Sequence, residues 1–138
     1  MKEIKTIASA ANFSAISVGA LNELGDYVLE LGPEVKIPGK VFGGAALGAT
    51  GSEFSFQVFQ PGTESGFLHT HKNHEELYFF LSGKGEFQVD GEVFPIAEGS
   101  VVRVNPAGKT FGTQQWHYPT RYALRTISWQ HIHLRRCC

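Results

Sequence analysis

Short β-like runs separated by turn signals recur along this chain and constrain its fold more than any other feature. The clearest pair flanks Asp90-Gly91, because Phe87-Gln88-Val89 precedes this dipeptide and Val93-Phe94 follows it. Asp and Gly tolerate the positive φ angles of a type I′ turn, so the segment predicts a hairpin. The predicted strands cover residues 13–18, 27–31, 41–47, 53–60, 67–71, 75–81, 85–89, 92–96, 100–104, 110–116 and 121–134. Helix is expected only as a short turn within 20–27, and the pattern predicts an all-β sandwich or barrel.

Length and composition predict one packed domain over residues 1–138. The chain has 138 residues, of which 42% are hydrophobic and 18% charged, and this balance suits a globular core. It has 12 basic and 13 acidic residues, for a net charge of -1. A nucleic-acid binder needs an excess of basic residues to neutralise phosphates. We therefore expect no nucleic-acid partner.

The apolar segments are too short or too interrupted for a membrane or secretory role. The longest strongly apolar run, residues 77–81, is far below the roughly 20 residues that span a bilayer. Residues 7–21 are mildly apolar, but Asn12 and three serines interrupt them, whereas a secretory signal needs a clean apolar segment. We expect no membrane association, and the default location is the cytoplasm. Cys137 and Cys138 are adjacent and cannot close a long loop, so no disulfide framework is expected.

A histidine cluster, His69-Thr70-His71-Lys72-Asn73-His74, is the strongest chemical signal. Strand alternation puts His69 and His71 on one face, and it puts Glu76, Tyr78 and Phe80 on one face of the following run. If the two strands pair, two imidazoles and one carboxylate can converge. Such a set, with open positions for water or substrate, binds divalent metals such as Fe(II) or Mn(II). The competing interpretation is a solvated polar strand, and these residues alone leave both open.

Two motifs resemble those of the cupin superfamily. The first is Gly62-(x6)-His69-x-His71-(x4)-Glu76-(x6)-Gly83, and the second is Gly99-(x6)-Pro106-Ala107-Gly108-Lys109-Thr110-Phe111, each one residue longer than the family pattern. The resemblance covers residues 53–116. It implies a small jelly-roll β-barrel, with residues before Glu53 adding outer strands. It also implies His69, His71 and Glu76 as ligands of a divalent transition metal (Mn, Fe, Ni or Zn).

The second motif departs from the family at one position. Three residues after Gly108, where the pattern has a histidine, this sequence has Phe111, which cannot ligate a metal. Two interpretations follow: a site with three protein ligands, or a barrel that has lost its metal. Tyr78, Phe80 and Phe111 are the predicted pocket-lining residues.

The expected function is that of a metal-dependent enzyme acting on a small organic molecule. The resemblance allows dioxygenase, isomerase and decarboxylase chemistry alike, and it assigns no catalytic residue. The alternative is a metal-poor barrel that binds or senses a small ligand without catalysis. A homodimer is expected from the resemblance. Arg103 has two possible orientations: inward, as an anchor for an anionic substrate, or outward on the strand surface, which we prefer.

Overall fold

A computed structural model describes residues 2–59, 68–69, 75–105 and 110–111, with the backbone alone at 68–69 and 110–111. The strands are β1 (Lys5–Ala10), β2 (Phe13–Ser17), β3 (Val28–Glu30), β4 (Lys36–Pro38), β5 (Lys40–Phe42), β6 (Ser55–Gln57), β7 (Leu68–His69), β8 (Glu76–Phe79), β9 (Lys84–Val89), β10 (Glu92–Ala97), β11 (Val101–Val104) and β12 (Thr110–Phe111). A 3₁₀ helix covers Leu21–Asp26, and a single α-helical turn, α1, covers Gly44–Leu47. The described chain is dominated by strands, which confirms the all-β prediction. No helix in the described residues is long and apolar enough to cross a bilayer.

The strands pair in the winding pattern of a jelly roll. One sheet has the order β10-β9-β12-β7, and β11 pairs with β8, so two successive strands return antiparallel to β7 and β8. Strands β9 and β10 form the predicted hairpin, because Asp90 has φ 50° and Gly91 has φ 85°. These left-handed backbone angles are those that Asp-Gly turns supply.

Two clusters of buried apolar side chains form the interior. The first, here called the barrel cluster, is formed by Tyr78, Phe80, Phe87, Ile96 and Val104, with Phe59, Val89, Phe94 and Val102 packed against it. The second, the N-terminal cluster, is formed by Val18, Leu24, Tyr27 and Val41, with Ile4, Leu21, Phe56 and Val58 packed against it. The N-terminal strands thus bring a cluster of their own beside the barrel, as the prediction of outer strands requires.

Strand β6 and the residues after it divide their side chains between the two clusters. Phe56 and Val58 pack on the N-terminal cluster, whereas Phe59 packs on the barrel cluster. Successive side chains of a strand point to opposite faces, which explains this division. The β5–β6 pair is therefore a wall that the two clusters share.

The predicted strand over 41–47 is wrong beyond Phe42. From Gly44 the chain turns into α1, and Gly48 ends that turn with φ 67°, in the left-handed region that glycine favours. The Glu53 carboxylate accepts hydrogen bonds from the backbone N–H groups of Gly44 (2.7 Å) and Phe54 (2.9 Å). This side chain comes from outside the run, so local alternation could not reveal the turn.

Two strands were missed, the six-residue β1 and the three-residue β4. Several other predictions lie partly or wholly outside the described residues. Strand β1 is rich in Ala, Ser and Thr, and β4 contains Lys36 and Pro38, so neither has a strong apolar alternation. The predicted runs 67–71 and 110–116 are described only at 68–69 and 110–111. The run 121–134 lies outside the described residues.

Candidate functional site

Glu76 is a buried carboxylate on the inner face of β8. It is 5% exposed, and Tyr78 and Phe80 are 8% and 1% exposed, whereas the residues between them are less buried. This burial pattern confirms that the three side chains share one face. Burying a carboxylate is costly unless hydrogen bonds or a cation compensate it. The buried position of Glu76 therefore requires polar or charged partners close to its carboxylate.

Tyr78 supplies one partner from the same strand. Its hydroxyl donates a hydrogen bond to Oε2 of Glu76. Its ring packs on Phe87 with centroids 5.0 Å apart, and Phe87 also contacts the rings of Phe80 (5.7 Å) and Phe94 (5.9 Å). The phenol is thus anchored by aromatic packing while its hydroxyl orients the carboxylate. Phe80 belongs to the packed cluster, and its role in lining a pocket remains a prediction.

The backbone register places His69 beside the second motif. In β7 and β12, His69 is paired with Thr110, and Leu68 is paired with Phe111. On its other edge β12 pairs with β9, where Thr110 meets Val89 and Phe111 meets Gln88. The register partner of His69 is therefore Thr110 rather than Phe111. His71 lies outside the described residues.

Lys40 is a site neighbour that the sequence did not single out. Its side chain is partly buried, and Nζ lies 5.1 Å from the centroid of the Phe42 ring. Burial lowers the pKa of Lys40, and the Glu76 carboxylate is near enough to raise it in part. Because Lys40 and Val41 are adjacent in β5, the lysine lies on the face of the strand that points away from the N-terminal cluster, in which Val41 is buried. Only the tertiary structure reveals that this side of the strand is the side of Glu76.

Arg103 points outward and does not line the interior. Its side chain is 61% exposed, and Nη1 lies 3.2 Å from Oε2 of Glu75 on the neighbouring strand. The register pairs Arg103 with Leu77 and places the buried Val104 opposite Glu76. An interior anchor at Arg103 is therefore wrong, and the outward orientation is confirmed.

The donor chemistry around Glu76 fits a divalent cation. A buried carboxylate offers one anionic oxygen ligand, and the sequence adds two imidazoles at His69 and His71. The described side chains alone contain no group of three His, Cys, Asp or Glu that could hold a metal. A metal centre at Glu76 would therefore need ligands from outside these side chains, and His69 and His71 are the predicted ones.

A separate groove of about 480 Å³ lies in the N-terminal half. Its lining includes Ile16, Leu47, Phe54 and Phe56 and contains no titratable side chain. An apolar lining of this kind offers no acid, base or metal ligand. This groove therefore carries no acid–base or metal chemistry of its own.

Comparisons with known proteins identify relatives of this fold. The family model described as "Cupin domain" matches residues 55–120. A cupin protein from Bacteroides fragilis is similar over 80% of this chain and 92% of its own, with 25% identity and a TM-score of 0.60. A sugar phosphate isomerase candidate from Acidithiobacillus ferrooxidans matches 67% of this chain and 58% of its own, with 26% identity and a TM-score of 0.56.

A more distant likeness supports the fold alone. KdgF from a Halomonas species covers 77% of this chain and 86% of its own, with 13% identity and a TM-score of 0.52. The comparison with curated protein sequences gave no match. The family match begins at the first residue of β6 and contains both sequence motifs. Residues 55–120 therefore match a cupin domain, and β6 to β12 lie inside the matched segment.

Proposed function

We propose that this protein binds a divalent transition metal through His69, His71 and Glu76 and acts there on a small organic molecule. The observation that carries the proposal is the buried Glu76, which faces the barrel cluster and is held by the Tyr78 hydroxyl. Protein interiors retain an ionisable acid mainly where it is paired, hydrogen-bonded or bound to a metal. When bound, the metal would polarise an oxygen of the substrate as a Lewis acid.

The described residues have distinct parts in this proposal. Glu76 supplies the anionic ligand, and Tyr78 orients its carboxylate by donating to Oε2. Phe80 shares the inner face of β8 with Glu76 and packs on Phe87 in the barrel cluster, and an apolar surrounding of this kind strengthens electrostatic interactions. Of the expected reaction types, isomerase chemistry has support from the similarity to a sugar phosphate isomerase candidate.

The second candidate function is a metal-poor barrel that binds a small ligand without catalysis. Two observations favour it. The family's second-motif histidine is replaced by Phe111, and the Lys40 ammonium provides Glu76 with a nearby cation of the protein's own. In this case the same interior would hold a ligand, and His69 and His71 would be polar residues of the pocket.

Metal analysis separates the two functions. We would purify the protein without chelator and measure Mn, Fe, Ni and Zn by mass spectrometry in the wild type, Glu76→Gln and Glu75→Gln. Glu75 is the matched control, because it precedes Glu76 but is exposed and paired with Arg103. We expect bound metal in the wild type and Glu75→Gln, and a loss of about tenfold or more in Glu76→Gln.

A thermal-shift titration with Mn(II) provides the second readout, because a ligand of the native state raises the melting temperature. We expect a rise for the wild type and Glu75→Gln only. A wild type that carries no metal and shows no rise with any of the four cations would contradict the metal proposal and leave the metal-poor barrel.

We also propose a homodimer, supported by the surface of the β1–β2 hairpin. All six residues of β1 are exposed, and Ile7 and Phe13 are 66% and 57% exposed. Within the described residues this sheet contains two strands, and an exposed strand edge invites pairing with another chain. Sedimentation velocity tests the dimer. The cytoplasmic location stays a prediction.

A further inference from the structure

Lys40 lies on the barrel side of the wall that separates the two clusters. In the β5–β6 pair, Lys40 is opposite Gln57, and Val41 is opposite Phe56. Directly paired residues share a face, and Val41 and Phe56 both pack in the N-terminal cluster. Lys40 and Gln57 therefore share the other face, the one from which Phe59 reaches the barrel cluster.

The ammonium group of Lys40 has N–H donors that no described residue accepts. Lys2 and Lys36 form ion pairs with Glu23 (2.8 Å) and Glu30 (3.3 Å). Lys40, by contrast, makes no hydrogen bond or ion pair with any residue of the described part of the chain, although its Nζ lies 5.1 Å from the centroid of the Phe42 ring and the Glu76 carboxylate is near enough to act on it electrostatically. An ammonium group carries three N–H donors, and burying them without acceptors is unfavourable. The described residues thus give the Lys40 ammonium no hydrogen-bond acceptor.

We propose that Lys40 is the anion-recognition residue of the barrel site, and that the site takes a small organic molecule bearing a carboxylate or phosphate group. An anionic group would supply acceptors that the described residues do not give Lys40, and the Phe42 ring beneath Nζ would keep the ammonium in place. The inference deepens the proposed function, because it concerns the ligand of the same site, but it requires no metal.

Charge balance explains why the lysine is needed. Glu76 alone would repel an anion from the interior, and Lys40 cancels that charge. A divalent metal on Glu76 would add to the attraction, so the two cations would act on the same ligand. Lysine binds such groups as a compact point charge, and arginine can replace its charge with a larger donor set.

Anion titrations of four proteins test the proposal: the wild type, Lys40→Met, Lys40→Arg and Lys36→Met. Lys36 is the matched control, because it is an exposed lysine on the neighbouring β4. Each protein is titrated calorimetrically with oxalate, malonate and inorganic phosphate at constant ionic strength, once stripped of metal and once with Mn(II). Malonamide, which is neutral, serves as the ligand control. Comparing oxalate and malonate with phosphate shows whether the site prefers a carboxylate or a phosphate group.

We expect at least one of the anions to bind the wild type and Lys36→Met. The same anion should bind Lys40→Met with an affinity at least about tenfold lower. Lys40→Arg should retain part of the binding, and malonamide should not bind. Equal anion affinity in Lys40→Met and the wild type would overturn the inference, as would a wild type that binds none of the anions. Melting temperatures of all variants confirm that the proteins compared are folded.

The outcome is independent of the metal proposal. Anion binding that depends on Lys40 in a protein without metal affinity would support this inference and reject the metal centre. Metal binding through Glu76, together with anion affinities that do not change when Lys40 is replaced, would support the metal centre and reject this inference.

Discussion

Two buried tyrosines, one in each cluster, donate their hydroxyl hydrogen bonds to different kinds of acceptor. Tyr27 in the N-terminal cluster donates its hydroxyl to the backbone carbonyl of Val18 at 2.9 Å. Tyr78 in the barrel cluster donates to the Glu76 carboxylate. The first bond satisfies a backbone acceptor and ties β2 to the start of β3. The second orients an acid that could bind a cation. The Tyr78 hydroxyl thus contacts an ionisable side chain, whereas the Tyr27 hydroxyl contacts the backbone.

The lysines of the two regions differ in the same sense. Lys2, beside the N-terminal cluster, has its ion pair with Glu23 and lies 5.5 Å from the centroid of the Tyr27 ring. Lys40, on the barrel side, has no ion pair or hydrogen bond among the described residues; it has the Phe42 ring 5.1 Å from Nζ and the longer-range attraction of Glu76. In the N-terminal region, the polar groups of Lys2 and Tyr27 thus have partners within the protein. A region with an acid and an incompletely paired cation is suited to receive a ligand.

The largest expected effects come from truncating one central side chain in each cluster. Phe87→Ala should lower the free energy of unfolding by about 3–5 kcal/mol and Leu24→Ala by about 2–5 kcal/mol, because each leaves a cavity in a packed cluster. Phe87 is 4% exposed and Leu24 is fully buried. Urea denaturation measures both losses. Folded Phe87→Ala should also lose metal affinity, because its ring supports Tyr78, whereas Leu24→Ala should retain it. An equal loss of metal affinity in the two variants would contradict the assignment of the metal site to the barrel cluster.

A smaller effect is expected from removing each phenolic hydroxyl. Tyr78→Phe should cost about 1.5–3 kcal/mol at neutral pH, because the lost hydrogen bond is to a charged group. Tyr27→Phe should cost about 0.5–1.5 kcal/mol, the usual range for a neutral pair. Denaturation of the metal-free proteins compares the two. If Tyr27→Phe proved the more costly, Glu76 would not depend on Tyr78 in the way its burial indicates.

The smallest effect concerns a replacement ligand on β12. Because Thr110, not Phe111, is paired with His69, Thr110→His should raise Mn(II) affinity by about tenfold, whereas Phe111→His should not. The physical reason is that directly paired residues of an antiparallel ladder share a face. Calorimetric titration with Mn(II) measures both variants. A gain confined to Phe111→His would favour the family spacing over the strand register.

Local patterns predicted much of the barrel and part of its candidate site. The Asp90-Gly91 hairpin and the shared face of Glu76, Tyr78 and Phe80 follow from backbone preferences and from a period of two residues. Both depend on neighbours in the chain, so the sequence was sufficient. The α1 turn was missed because its cap, Glu53, lies outside the predicted run.

The amino-acid sequence by itself determined most of the strand-and-turn pattern, the family motifs and the face that Glu76, Tyr78 and Phe80 share, since each of these depends on residues close together in the chain. Only the tertiary structure decided that the β5–β6 wall serves two clusters and that Lys40 stands on the side of Glu76. Lysine and acid lie on strands far apart in sequence, and strand alternation cannot reveal which face another strand will cover. Charges act through space, so the electrostatics of this interior emerge only when the strands are assembled.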